Sequence, residues 1–370
     1  MGNSPFVLKG EEWKTVRGHA TPLITLAKLN AYLPTMQGVC NEMVQYLKNA
    51  TEEKGLVELE LKNFSGKYTT DIIANAILGV ANNTFVDENS TFARITKELF
   101  AFGIINNLKF FGAMIYPELA PYLRIRFASK EIEDALLELT HSRMQETFKD
   151  GEFRYDIFQQ MKLYREKDTT GVFTDKYIAS HCFAFMTDGY ETSSDLMSFI
   201  LYELAWHTEI QDKLRDEIVD MISETKNAYN VEHLEKMKYL DMVVSETLRI
   251  YPPAATISKI CTEDYKVAST GLLIEKNTPI TIPILALHLD EKYYPNVEKF
   301  DPERFSEEAA AKRHRYVYLP FGEGPRKCFG QRFGLFQVKL AVVTILQHFK
   351  LRPSAKTNYP VELDPTFFIS

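Results

Sequence analysis

Apolar residues recur at helical spacing through most of the chain. Residues 35–50, 68–80, 128–149, 175–225, 233–250 and 330–348 each carry the repeat of a helix with one buried face. The Tyr251-Pro252-Pro253 run ends the helix before it, because proline has no amide hydrogen and restricts its predecessor. Two stretches read as extended: Tyr265–Val267 with Leu272–Ile274, and Ile280–Ile284. Gly271 and Asn277-Thr278-Pro279 punctuate them as short strands with turns. A polar run, Thr187 to Asp195, interrupts an otherwise apolar helix predicted from about Asp175 to Ala205. There is no internal repeat, no low-complexity tract and no linker rich in Pro, Gly or Ser. The pattern predicts one domain over residues 1–370, mainly α with a small β-sheet.

Composition narrows the class. The 370 residues are 45% hydrophobic and 25% charged, the balance of a globular chain. A net charge of −7, from 43 basic and 50 acidic residues, offers no basic excess, so a nucleic-acid partner is set aside. No apolar run approaches the ~18 residues that cross a bilayer. Met1 to Gly10 is mixed and soon acidic, unlike a signal peptide. Cys40, Cys182, Cys261 and Cys328 are too sparse and too far apart for a disulfide scaffold. The histidines show no HExxH and no zinc-ligand spacing.

Chemistry concentrates at Phe321-Gly322-Glu323-Gly324-Pro325-Arg326-Lys327-Cys328-Phe329-Gly330. A lone cysteine is usually a small buried hydrophobe. This one is bracketed by Gly324 and Gly330, which let a backbone bend and approach a flat ligand. A helix is predicted from about Gly330, so the sulfur sits near a helix N-terminus, where amide hydrogens and the dipole lower a thiol's pKa. Arg326 and Lys327 add positive charge. An anionic sulfur of this kind is an axial ligand for haem iron. The segment resembles the cytochrome P450 signature Phe-x-x-Gly-x-Arg-x-Cys-x-Gly, with every fixed position matched and Cys328 as the metal ligand.

Other segments extend the resemblance in the family's order. Glu246-Thr247-Leu248-Arg249 places opposite charges three apart on one helix face and is similar to the Glu-x-x-Arg motif. Arg304, in Phe300-Asp301-Pro302-Glu303-Arg304-Phe305, resembles the third member of its structural triad. Trp13 and Arg17, one helical turn apart, resemble the pair that meets a haem propionate. Arg326 is implied as a second propionate partner, and Phe321, Gly324 and Gly330 as haem contacts. Lys259 stands where the family often has arginine, offering a point charge rather than a fork.

The polar run resembles the distal helix pattern Ala/Gly-Gly-x-Asp/Glu-Thr through Gly189, Glu191 and Thr192. The resemblance implies that Gly189 leaves room for dioxygen and that Glu191 and Thr192 deliver protons. Asp188 departs from the pattern, since most members have a small apolar residue there. Three outcomes are open for its carboxylate: an ester to haem, as forms from glutamate in the fatty-acid omega-hydroxylase branch; a hydrogen bond to Thr192 or nearby backbone; or a face turned to water and substrate.

The resemblance covers essentially the whole chain and is nearest to animal, insect-like, microsomal members. It implies heme b, iron protoporphyrin IX, with a cysteine thiolate axial ligand. It further implies a monooxygenase acting on a small lipophilic substrate, in xenobiotic or in hormone and lipid metabolism. Electrons would come from NADPH through NADPH-cytochrome P450 reductase, with cytochrome b5 as a further partner. The location implied is the cytoplasmic face of the endoplasmic reticulum membrane. Against the family's pattern the chain reads as shortened at both ends, without the N-terminal membrane anchor, the first helices, part of the sheet, and the return strand after Phe367-Phe368-Ile369-Ser370. Two other readings follow from the same residues: a shortened chain that binds little haem, and an isomerase of peroxides needing neither O2 nor a reductase. Phe100 to Phe111 is rich in Phe, Ile and Leu and reads as pocket roof, core or membrane-facing surface.

Overall fold

The computed structural model describes residues 8–52, 55–100, 122, 129–146 and 155–362. The segment following Phe100, up to Phe111, and the terminal residues 367–370 lie outside them. The described chain is mostly helical: α1 Gly10–Ala20, α2 Leu26–Glu52, α3 Leu61–Ile72, α4 Thr91–Phe100, α5 Lys130–Gln145, α6 Ile157–Lys167 and α7 Asp175–Trp206. Then come α8 Thr208–Thr225, α9 Val231–Lys236, α10 Lys238–Ile250, α11 Ile284–His288, α12 Glu307–Ala311 and α13 Gln331–His348. Four short strands make two antiparallel pairs. β1 Ile257–Ile260 pairs with β4 Pro279–Ile282, and β2 Tyr265–Lys266 with β3 Leu273–Ile274. A mainly α fold with a small β component is therefore present.

Boundaries differ from the sequence reading where side chains, not periodicity, decide them. The 68–80 helix begins earlier, at Leu61, because the Glu60 carboxylate caps the amides of Lys62 and Asn63. Beyond Ile72 it widens into a π-turn over Ile73–Ile77. The 35–50 helix reaches back through Pro34 to Leu26. The 175–225 run is two helices, parted at His207, whose ring bonds the Glu203 carbonyl and carboxylate. The 233–250 run is likewise two, parted at Met237. Strand β1 had no alternation strong enough to separate it from the loop after Pro253.

Helix α7 is the axis of the core. Helices α3, α5, α10 and α13 pack on it, and Cys182, Met197, Ile200 and Leu204 are fully enclosed. The expected interruption is absent, and the helix runs unbroken through the polar stretch from Thr187 to Asp195. Its hydroxyls bond back into their own helix: Thr187 to the Phe183 carbonyl, Ser194 to Glu191 and Ser198 to Ser194. Two of its acids, Glu191 and Asp195, find a partner on α3, as described below.

Helix α10 carries a charged network into the interior. Arg249 and Glu246 are both fully buried, with guanidinium–carboxylate contacts of 2.8 and 2.9 Å. The remaining Arg249 donors reach the carbonyls of His288 (3.1 Å) and Val297 (2.7 Å). Glu246 also accepts from the Asp301 amide, and Arg304 Nε approaches it at 3.3 Å, too poorly aligned for a hydrogen bond. Arg304 is held by its outer nitrogens on the carbonyls of Pro295 and Asn296. The three triad residues thus clamp residues 288–304 onto α10, and removing one partner of such a buried pair costs about 3–5 kcal/mol.

His288 closes this network. It is fully buried, and its Nε2 accepts from the Leu319 amide at 3.0 Å. Burial, with the nearby Arg249 charge, pushes its pKa from the ordinary 6.5 down to about 4. The ring stays neutral in the folded protein, whereas unfolded it takes up a proton below about pH 6.5. Stability from this group is therefore complete above pH 6.5 and falls as pH drops towards 4, by about 3 kcal/mol. His288→Gln, which keeps an acceptor for Leu319, should flatten the decline. Urea melts between these two pH values check this, and an equally steep decline in the variant would count against it.

Candidate active site

The loop ahead of α13 turns twice through left-handed glycines. Gly322 has φ 66° and Gly324 φ 82°, conformations that side-chain-bearing residues rarely adopt. Gly322 was overlooked in the sequence. A Cβ there would also crowd Ile257 Cδ1 at 3.2 Å, where the loop crosses β1. The turn lets the Cys328 amide donate to the Phe321 carbonyl at 2.9 Å, closing the loop on itself. Gly330 differs from the expectation of a bend. Its φ is an ordinary −79°, and a Cβ on it would meet nothing within 4 Å. Neither backbone strain nor a close contact therefore calls for glycine there.

Cys328 is exposed, yet burial is the largest influence on its thiol. Both hold if the sulfur faces an internal hollow. Burial raises the thiol pKa, while the amides of Gly330 and Gln331 at the start of α13 and the charge of Arg17 pull it down; Asp188 pushes it up. The helix N-terminus acts as the sequence suggested, but it does not win. The cation that acts on the sulfur is Arg17, not the expected Arg326 and Lys327, because α1 folds across the loop. Arg17 donates to the Lys327 carbonyl at 2.9 Å and stands over the Phe329 ring at 5.3 Å.

Three cations gather beside this loop. The Arg326 guanidinium lies 4.4 Å from the Trp13 ring centre and donates to the Leu8 carbonyl. Arg17 and Lys259 are both held below their usual pKa, first by burial and then by repulsion involving Arg326. Among the described residues no carboxylate forms an ion pair with Arg17, Arg326 or Lys259. Trp13, Arg17, Lys259 and Arg326 come from α1, β1 and the loop, so only the tertiary fold assembles them.

Helix α7 forms the opposite side. Asp188 is exposed, yet burial raises its carboxyl pKa to about 6, so it too faces the hollow, near enough for its charge to act on Cys328. Its carboxylate accepts from the Thr187 hydroxyl at 3.2 Å. Of the outcomes left open, a hydrogen bond forms, with the Thr187 hydroxyl rather than that of Thr192. Thr192 donates to the Asp188 backbone carbonyl at 2.7 Å.

Two further positions on this helix are placed by its neighbours. A Cβ on Gly189 would meet Ile73 Cδ1 at 3.5 Å, an ordinary contact with the π-turn that follows α3. Its carbonyl accepts from Gln337 on α13 at 3.3 Å. Glu191 and Thr192, adjacent on α7, point about 100° apart. Glu191 is buried against Lys62 of α3, 2.8 Å away. Lys62 also binds Asp195, and neither residue was singled out from the sequence. Spacing gave one signal: Glu191 and Asp195 are one turn apart, on the same face.

Comparison with known proteins fixes the class. The cytochrome P450 family model matches residues 1–369. The chain is 34% identical to cytochrome P450 6k1 of Blattella germanica, over 97% of this chain and 72% of the relative. It is 33% identical to a probable cytochrome P450 6a13 of Drosophila melanogaster, over 100% and 73% respectively. Similarity extends to cytochrome P450 3A12 of Canis lupus familiaris, 34% over 96% and 71%. The chain belongs to the cytochrome P450 family, whose members are monooxygenases carrying haem on a cysteine thiolate.

The residues present fit that group. The Cys328 thiol would supply the ligand, and Arg17, Arg326 and Lys259, which among the described residues form no carboxylate ion pair, suit the anionic edge of a porphyrin. Cys328→Ser should leave the fold intact and abolish thiolate ligation. The ferrous–CO spectrum decides, and an unchanged thiolate-type band would rule out Cys328 as ligand. Replacing Arg17 with Ala should lower haem retention on gel filtration by roughly tenfold in affinity, the loss of one charge-assisted contact.

Proposed function

We propose that this chain inserts one atom of dioxygen into a small lipophilic substrate, with electrons from NADPH delivered by NADPH-cytochrome P450 reductase and cytochrome b5 as a further partner. The observation that carries the reading is the juxtaposition of Cys328, at the start of α13, with Asp188 across one hollow. The whole of residues 1–370 serves this as one domain. The place we assign it is the cytoplasmic face of the endoplasmic reticulum membrane, by likeness to microsomal relatives. Among the described residues no helix is long and apolar enough to cross a membrane.

The haem, when bound, supplies the oxygen and electron chemistry. The chain's own residues do the rest. Cys328 gives the thiolate, whose charge the Gly330 and Gln331 amides and Arg17 favour. Trp13, Arg17 and Arg326 hold the propionates, with Lys259 adding a point charge. Phe321 and Gly324 shape the loop that presents the sulfur. Thr192 carries a hydroxyl on the α7 side of the hollow, where it takes and passes a proton, with Glu191 as the acid behind it. Asp188 limits the space above the sulfur and presents a polar group to substrate. The triad of Glu246, Arg249 and Arg304 fixes the wall behind.

Product should form only with NADPH, O2 and the reductase together; turnover of a hydroperoxide without them would favour the isomerase reading instead. Thr192→Ala should keep consuming NADPH while releasing more peroxide and less product. Its peroxide-to-product ratio, measured beside wild type, checks the role, and unchanged coupling would remove Thr192 from the relay.

A further inference from the structure

Gln337 sits well inside α13, the helix that begins beside Cys328, and has no part in the chemistry above. It is fully buried. Its side-chain nitrogen donates to two groups on α7, the Gly189 carbonyl at 3.3 Å and the Ser193 hydroxyl at 2.6 Å. Its backbone carbonyl accepts from the buried Tyr68 hydroxyl of α3 at 2.8 Å. Its own Oε1 is buried and has no hydrogen-bond partner.

Packing alone does not account for this residue. An amide oxygen left bare in the core costs free energy that an apolar side chain of the same size avoids. Turning the amide over gives no relief, because Oε1 would then face the Gly189 carbonyl, two acceptors with no proton between them. What the orientation secures is the pair of bonds to α7. Gly189 and Ser193 are one helical turn apart, so a single nitrogen spans the turn between them. That turn carries Thr192, whose hydroxyl donates to the Asp188 carbonyl at 2.7 Å. Two successive carbonyls of α7, those of Asp188 and Gly189, thus each take a side-chain donor. A helix carbonyl shared with a side chain holds its own helix amide less tightly, so the setting of this turn depends on both donors.

We propose that Gln337 is a positioning residue for the monooxygenase reaction, fixing the α7 turn that bears Thr192 against the helix that starts beside the sulfur. This rests on the function proposed above. Gln337 touches no reacting atom. It acts through Gly189 and Ser193, which bracket Thr192 in the chain, and so holds the Thr192 hydroxyl at one position relative to Cys328. Without the amide, apolar contact alone joins the turn to α13 there, and such contact has no direction.

The test uses haem-loaded wild type, Gln337→Met, Ser193→Ala and the double variant. Methionine is unbranched and fills the same space but donates nothing. The infrared C–O stretch of the ferrous–CO form reads the polar surroundings above the iron and needs no turnover. Wild type should give a narrow band. Gln337→Met should shift or split it, Ser193→Ala should do so less, and the double variant should match Gln337→Met, since both changes act through one contact. In turnover with reductase and ethoxycoumarin as probe, Gln337→Met should release several-fold more peroxide per NADPH. Its thiolate-type band should be intact and its melting temperature equal to or above that of wild type. An unmoved C–O band in Gln337→Met would overturn the proposal whatever the melting temperature, and so would an unchanged ratio of peroxide to NADPH. A wild type that consumes no NADPH with reductase, while its C–O band still responds to Gln337→Met, would overturn the reductase-driven reading and leave the positioning role standing.

Discussion

Helix α7 has to carry polar side chains through the centre of an apolar core, and much of the surrounding structure answers that constraint. A backbone satisfied within the helix makes the crossing possible. The hydroxyls of Thr187, Thr192, Ser194 and Ser198 return to their own helix, which leaves the acids as the remaining cost. Glu191 and Asp195 are met by Lys62 from α3, and Ser193 by Gln337 from α13. The two helices packed most closely on α7 thus bring apolar surface and polar partners together. Asp188, alone among these acids, is left facing the hollow.

The Cys328 loop poses the opposite problem, an excess of positive charge. Burial opposes charge on the sulfur and on Arg17 alike, so each stabilises the other only because α1 brings them together. The loop's backbone bonds are short-range turns, Gly322 to Leu319, Lys327 to Gly324 and Cys328 to Phe321, with Arg17 and Arg326 tying it to the chain around α1. Its rigidity comes from what lies behind it: the buried Glu246–Arg249 pair, the carbonyls that Arg249 and Arg304 hold, and the neutral His288 at the Leu319 amide. A rigid scaffold beneath a short loop is how a single sulfur is held at one position.

What the residues alone determined were local patterns and class. Helical periodicity located the main helices, because an apolar face must repeat every turn wherever it is buried. The Phe321–Gly330 segment singled out Cys328, through its resemblance to the cytochrome P450 signature and a setting of glycines and cations that suits an anionic sulfur. Periodicity did not reveal the breaks at His207 and Met237, because an apolar face continues across a bend. Nor did it reveal β1, whose pairing depends on a partner some twenty residues away. Which cation acts on Cys328, what packs against Gly189, and where the Glu191 carboxylate goes were decided by the tertiary structure. Those outcomes depend on α1, α3 and α13 meeting α7 and the loop from distant parts of the chain. Charge and burial at a site are sums over whatever packs around it, and a linear sequence does not contain that sum until the chain has folded.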